Sequence, residues 1–210
     1  MKIVVLSNEN SKNELLAQCQ NDSIRVIHIT EVAEFSNHTE ADAFFDLQFE
    51  MNAERVELLK KFSAKPIFIN AVPFTILETD TSFIRVNGWS TFLKNELVEA
   101  ACLNEFLKTA AEKIITALHK TIEWVPDVKG FISARVVSMI INEAYFALEE
   151  KVSTKREIDT AMKLGTNYPY GPFEWGELIG LKNIYELLNE LSKTESRYTP
   201  AALLKKEISL

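Results

Sequence analysis

A chain of 210 residues that is 47% hydrophobic and 25% charged can bury a sizeable core, as one large domain or two small ones. Its formal net charge of -7 argues against nucleic acid as a partner, and no stripe of Lys and Arg with interleaved aromatics offsets it. No apolar run approaches the roughly 20 residues a membrane span needs. Residues 1–6 are too short an apolar run for a signal peptide. Cys19 and Cys102 lack metal or redox spacing, which points to a reduced compartment and, most simply, the cytoplasm.

Residues 3–6 form an apolar run that stops at Ser7-Asn8, and residues 11–20 then have helical spacing. Residues 25–29, 43–47 and 66–70 are further strand candidates. Between the last two, residues 53–62 place Val56, Leu58, Leu59 and Phe62 on one helical side. Residues 83–86 are the next strand candidate, 104–119 an amphipathic helix, and 122–125 the last strand candidate. Strands alternating with helices predict a mainly parallel sheet covered on both faces.

After Pro126-Asp127 the texture changes, and the domain boundary is placed there, giving 1–126 and 127–210. Residues 131–150 contain no Pro or Gly and are apolar on most sides, so the helix they predict must be buried nearly all round. A segment of about eighty residues rarely achieves that alone, so a partner surface is expected. Thr154 and Glu157 form a capping box, and Gly165 is read as the left-handed residue ending that helix. Pro172 suits the first turn of the next helix, which Gly180 ends. Residues 182–192 and a short stretch from Pro200 through Lys206 complete the helices.

Three motifs stand in order: Pro126-Asp127-Val128-Lys129-Gly130-Phe131-Ile132, the run from Ile158-Asp159 through Tyr168-Pro169-Tyr170-Gly171-Pro172-Phe173-Glu174-Trp175, and Arg197-Tyr198-Thr199-Pro200 followed by Leu203-Leu204. Together they resemble the 3-hydroxyacyl-CoA dehydrogenases, including the 3-hydroxybutyryl-CoA dehydrogenases. The resemblance implies a Rossmann-like, NAD-binding-type domain over 1–126. It implies an all-helical C-terminal domain over 127–210 that makes a homodimer and closes over an acyl-CoA site. The reaction it implies is oxidation of 3-hydroxyacyl-CoA to 3-ketoacyl-CoA with NAD, in fatty-acid metabolism. Two prolines and a glycine in the Tyr168–Phe173 turn fix geometry and supply no acid, base or nucleophile, so the turn is read as scaffold. Asn167 stands where the family has a second glycine, and Asn tolerates positive φ.

Against that pattern the chain departs at five places. The family's Gly-x-Gly-x-x-Gly loop is replaced by Leu6-Ser7-Asn8-Glu9-Asn10-Ser11, and no glycine precedes Gly88, so no NAD or other cofactor is expected. Only about 13 residues separate the second and third strands, where the family has a long helical excursion. Glu31, the nearest candidate for a ribose-binding acid, reads as a helix-start or surface residue. The family's acid/base His falls at Ile84, its substrate-binding Asn at Ala134, and its Ser near Val72. Ser133 would point about 100° round the helix from Ala134, a poor substitute. Loss of the acid/base forfeits ~10² to 10⁴ in rate. Glu99 and Asn87 align with the family's Glu and Asn. His28, His38 and His119 have no spaced partners that suggest a metal or triad.

The sequence therefore predicts a degenerate member of this family, keeping scaffold and dimer surface. Asn70, Asn87, Trp89 and Glu99 would line its substrate cleft, because they follow the ends of sheet strands. Two other readings stay open: an active oxidoreductase with a rearranged site, and a purely structural or interaction protein. A polar-lined pocket near Asn87 and Glu99 favours ligand binding, and a collapsed apolar cleft favours a scaffold.

Overall fold

The computed structural model describes residues 1–21 and 23–208, which divide into two compact units, Met1–Phe131 and Ile132–Leu210. In the first unit seven strands form one sheet: β1 (Lys2–Leu6), β2 (Arg25–Ile29), β3 (Ala43–Asp46), β4 (Ile67–Asn70), β5 (Ile84–Val86), β6 (Leu97–Ala101) and β7 (Thr121–Trp124). Their spatial order is β2-β1-β3-β4-β5-β6-β7. All neighbours are parallel except β5 and β6, which run antiparallel, so the expected mainly parallel sheet is present. β6 is an addition that the sequence reading did not include.

Strand period places alternate residues on opposite faces, and both faces are apolar. One carries Ile3, Val5, Phe45, Phe68, Ile84 and Val86 beneath Leu15 of α1 (Glu9–Leu15) and Ile114 and Ile115 of α3 (Glu105–Ala117). The other carries Val4, Leu6, Phe44, Ile67 and Ile69 beneath Phe35 and Leu59, the latter from α2 (Ala53–Lys60). Between β2 and β3 there is a single 3-10 turn, Val32–His38. The Glu34 carboxylate accepts from the Glu31 N–H at 3.0 Å, which makes Glu31 a helix-start residue, as read.

The second unit holds α4 (Ser133–Glu149), α5 (Lys155–Thr166), α6 (Pro172–Ile179), α7 (Leu181–Ser192) and α8 (Ala202–Glu207). The Thr154–Glu157 capping box is formed at the start of α5. Its far end corrects the reading of Gly165. The helix continues to Thr166, whose hydroxyl donates back to Met162 O at 2.5 Å, and the left-handed residue is Asn167, at φ 57° and ψ 33°. Gly180 ends α6 at φ 92°. No helix of the described residues is long and apolar enough to cross a membrane.

Three polar side chains tie α4, α5 and α8 together. Tyr145 donates to Glu207 Oε2 at 2.7 Å, and Lys155 Nζ lies 2.7 and 2.8 Å from the two carboxylate oxygens. Burial pushes the Glu207 carboxyl up, but the hydrogen bonds from Lys155 and Tyr145 outweigh it, so the group sits below its ordinary 4.5. A carboxyl depressed in the folded state adds stability that is complete above its unfolded value and is lost as pH falls through the folded value. We therefore expect the melting temperature to drop as pH is lowered from about 6 to about 3.5, and Glu207→Gln to flatten that slope. An unchanged slope in the variant would show that other carboxyls carry the acid sensitivity.

Candidate functional site

The ends of β4 and β5 meet the middle of β6 because β6 runs backwards. β4 finishes at Asn70 and β5 at Val86, and reversal of β6 sets Glu99 opposite Asn87. The Asn87 N–H donates to Glu99 O at 3.0 Å, and the Asn87 side-chain amide donates to Glu99 Oε2 at the same distance. Asn70 Oδ1 accepts from the Gly88 N–H at 3.1 Å, while its amide reaches Leu47 O at 3.2 Å. A Cβ on Gly88 would lie 2.8 Å from the Asn70 side chain, so this approach requires glycine. Asn70, Asn87 and Glu99 are thus gathered in one hydrogen-bonded cluster, with Trp89 buried in the adjoining stretch.

The cluster can bind and orient a polar group, but it holds no nucleophile and no imidazole. Ile84, where the resemblance places the acid/base, is fully buried in the apolar face of the sheet. Val72 is buried and offers its carbonyl, which accepts from the Gly130 N–H at 2.8 Å. Ala134 is buried in α4.

A pair that sequence reasoning missed stands behind this cluster. The Arg85 side chain is 0% exposed and forms an ion pair with Asp127. Its Nε donates to Ala71 O at 3.1 Å, Nη2 lies 3.4 Å from both Val72 O and Val128 O, and the guanidinium sits 4.6 Å from the Phe131 ring centre. Burial lowers its pKa and the Asp127 carboxylate opposes that, so the guanidinium stays charged. One side chain therefore fixes the segment after β4 to the segment after β7. An Arg flanked by Ile84 and Val86 in a strand was the available signal.

The turn from β1 into α1 is the place for a dinucleotide diphosphate, which needs free backbone N–H groups and close approach. Here Asn8 caps the helix, its Oδ1 accepting from the Ser11 N–H at 2.8 Å. The Glu9 carboxylate stands on the turn, 2.6 Å from Lys12 Nζ and 3.3 Å from His28 Nδ1. The Lys12 hydrogen bond holds its carboxyl below the ordinary range, so it is anionic at neutral pH. His28 Nε2 is 2.8 Å from Ser7 O, a structural role. None of the described residues from Ser7 to Lys12 has positive φ. These residues do not fit a diphosphate. Among the described residues no group of three or more His, Cys, Asp or Glu is placed to hold a metal ion.

The sequence model of the 3-hydroxyacyl-CoA dehydrogenase C-terminal domain matches residues 130–209. The 3-hydroxyadipyl-CoA dehydrogenase of Escherichia coli is 42% identical over 118 residues, which is 54% of this chain and 24% of that protein. The 3-hydroxybutyryl-CoA dehydrogenase of Bradyrhizobium diazoefficiens is 32% identical over 115 residues, 54% of this chain and 39% of that protein. The chain thus matches about a quarter to two fifths of the length of these relatives. At the level of fold, the (S)-3-hydroxybutyryl-CoA dehydrogenase PaaH1 of Ralstonia eutropha gives a TM-score of 0.74 at 19% identity, covering 99% of this chain and 93% of that one. M. tuberculosis FadB2 gives 0.80 at 14% identity with the same coverage.

Proposed function

We propose, from the premise that this chain belongs to the 3-hydroxyacyl-CoA dehydrogenase family, that it is a member which has lost NAD binding and hydroxyl oxidation. It keeps the scaffold, a homodimer surface on its C-terminal helices, and binding of an acyl-CoA or related thioester. The observation that carries this reading is the turn between β1 and α1, where an Asn cap and an anionic Glu9 occupy the diphosphate's place. Ile84 in the acid/base position supports it, since a hydrocarbon side chain transfers no proton. The Asn70, Asn87 and Glu99 cluster at the strand ends is where α/β folds place ligands, and it supplies the polar contacts for a thioester. Free thiols at Cys19 and Cys102 suit a reducing, cytoplasmic location.

Calorimetric titration tests this directly. NADH at concentrations up to about 1 mM should give no heat of binding, and acetoacetyl-CoA should bind at micromolar concentration without NADH oxidation. NADH binding with turnover would replace this reading with an active oxidoreductase converting 3-hydroxyacyl-CoA to 3-ketoacyl-CoA. Silence with both ligands would leave a structural or interaction protein.

A further inference from the structure

One side of the strand-end cluster is shut off from solvent. Asn70 and Glu99 are half-buried, but Asn87 is only 2% and Trp89 only 5% exposed, so a ligand reaches that side when a covering segment moves. Residues 88–95, which follow β5, are the covering segment. Their far end is bolted down. Leu93 is buried with Ile84, Val86 and Val98 in the sheet core. The buried Lys120 ammonium donates to Leu93 O at 2.6 Å and to Asn95 O at 2.8 Å, and the Gln18 amide donates to Lys94 O at 2.8 Å.

The near end is a tight turn, closed by the Phe92 N–H donating to Trp89 O at 3.2 Å. Its third residue, Thr91, has φ 76°. Turns give that position to glycine, and a β-branched side chain there is strained. Among the described residues with positive φ, Thr91 is the β-branched one. A carboxylate holds the strained turn. Glu14 of α1 accepts from the Thr91 N–H at 2.9 and 3.1 Å and from the Ser90 hydroxyl at 2.8 Å. The Asn10 amide, one turn earlier on the same side of the helix, donates to Ser90 Oγ at 3.2 Å. Bonds to an ionised acceptor are about twice as strong as neutral ones. Two opposed forces therefore meet in one turn: the backbone at Thr91 favours opening, and the Glu14 carboxylate favours closure.

We propose that residues 89–92 are a spring-loaded gate over the Asn87 side of the cluster, hinged at Leu93, latched by Glu14 and pushed open by the strain at Thr91. This rests on the thioester reading above and adds the route by which the ligand enters. Glycine at 91 would leave the turn shut at rest, whereas threonine makes closure depend on the latch. Glu14 is a positioning residue, acting through the turn.

Hydrogen–deuterium exchange on the full chain reads the gate with no ligand present. Thr91→Gly removes the strain and keeps the N–H that Glu14 accepts from, so exchange over residues 89–95 should slow by about tenfold, although glycine ordinarily loosens a loop. Glu14→Ala keeps a good helix former in α1 and should speed the same exchange by about tenfold or more. Exchange in α3 should match the unsubstituted chain in both variants, which separates opening of the gate from loss of the fold. In stopped-flow mixing, acetoacetyl-CoA should enter and leave more slowly in Thr91→Gly and faster in Glu14→Ala. Exchange that is no slower in Thr91→Gly, or no faster in Glu14→Ala, would overturn the spring and latch. Binding rates alike in all three proteins would show that the ligand enters elsewhere and would overturn the gate. The expected exchange changes with no acetoacetyl-CoA binding in any of the three would support the moving turn and sink the thioester reading.

Discussion

Replacing Arg85 by Ala is expected to destabilise the sheet unit by about 3–5 kcal/mol. The side chain is wholly buried, and its removal leaves the Asp127 carboxylate, itself only 12% exposed, without its cation. The Ile76 N–H, 2.8 Å from Asp127 Oδ2, compensates only in part. Carbonyls of Ala71, Val72 and Val128 also lose a donor, although Val72 O still accepts from the Gly130 N–H at 2.8 Å and Ala71 O from the Phe74 N–H at 3.3 Å. The double variant Arg85→Met with Asp127→Asn should lose much less, because it buries no unpaired charge and escapes the desolvation of two ions. Urea unfolding of the two single variants and the double gives the coupling. If Arg85→Ala shifts stability by no more than a surface substitution, about 0.5 kcal/mol, the guanidinium is not holding these segments together.

Gly171→Ala is the second large effect, at about 2–4 kcal/mol from overpacking together with loss of a helix cap. A Cβ there would lie 2.3 Å from both Cβ and Cγ of Asp159. That approach exists because the Asp159 carboxylate caps α6, accepting from the N–H of Phe173 at 2.8 Å and of Glu174 at 3.2 Å. Trimming Asp159 to Ala removes Cγ but not Cβ, so it should cost only the cap, about 0.5–2 kcal/mol, and should not rescue Gly171→Ala. Thermal denaturation of the three variants decides this. Full rescue in the double variant would mean that the carboxylate, and not the backbone approach, sets the need for glycine.

These two positions differ in how far they could be read in advance. The Gly171 turn lies in a motif whose prolines and glycine announce a fixed geometry, and only its partner, Asp159, needed three dimensions. Arg85 and Asp127 are 42 residues apart and nothing local links them, so each charge would ordinarily be assigned to solvent. Strands β1 and β4 were legible because buried parallel strands are apolar runs bounded by polar residues. β6 was not, since Leu97-Val98-Glu99-Ala100-Ala101 is short, Ala-rich and interrupted by a charge. Its place depends on pairing with β5, which local spacing does not encode. The end of α5 was misplaced by two residues because glycine outranks asparagine as a left-handed residue in general. Here the Thr166 hydroxyl bonds back to Met162 and Asn167 takes the left-handed position instead. At the site, Asn87 and Glu99 came from family resemblance, whereas the contact between Asn70 and Gly88 follows only from the sheet order.

The turn between β1 and α1 has a further consequence for the unfolded chain. Its described residues all keep negative φ, so none of them needs the freedom glycine would bring. Where ordinary side chains replace glycine at such positions, the denatured ensemble has fewer conformations to lose, and each replacement favours folding by about 0.4–1 kcal/mol. Ordinary side chains at every position of this turn make it a stiff entry into the sheet.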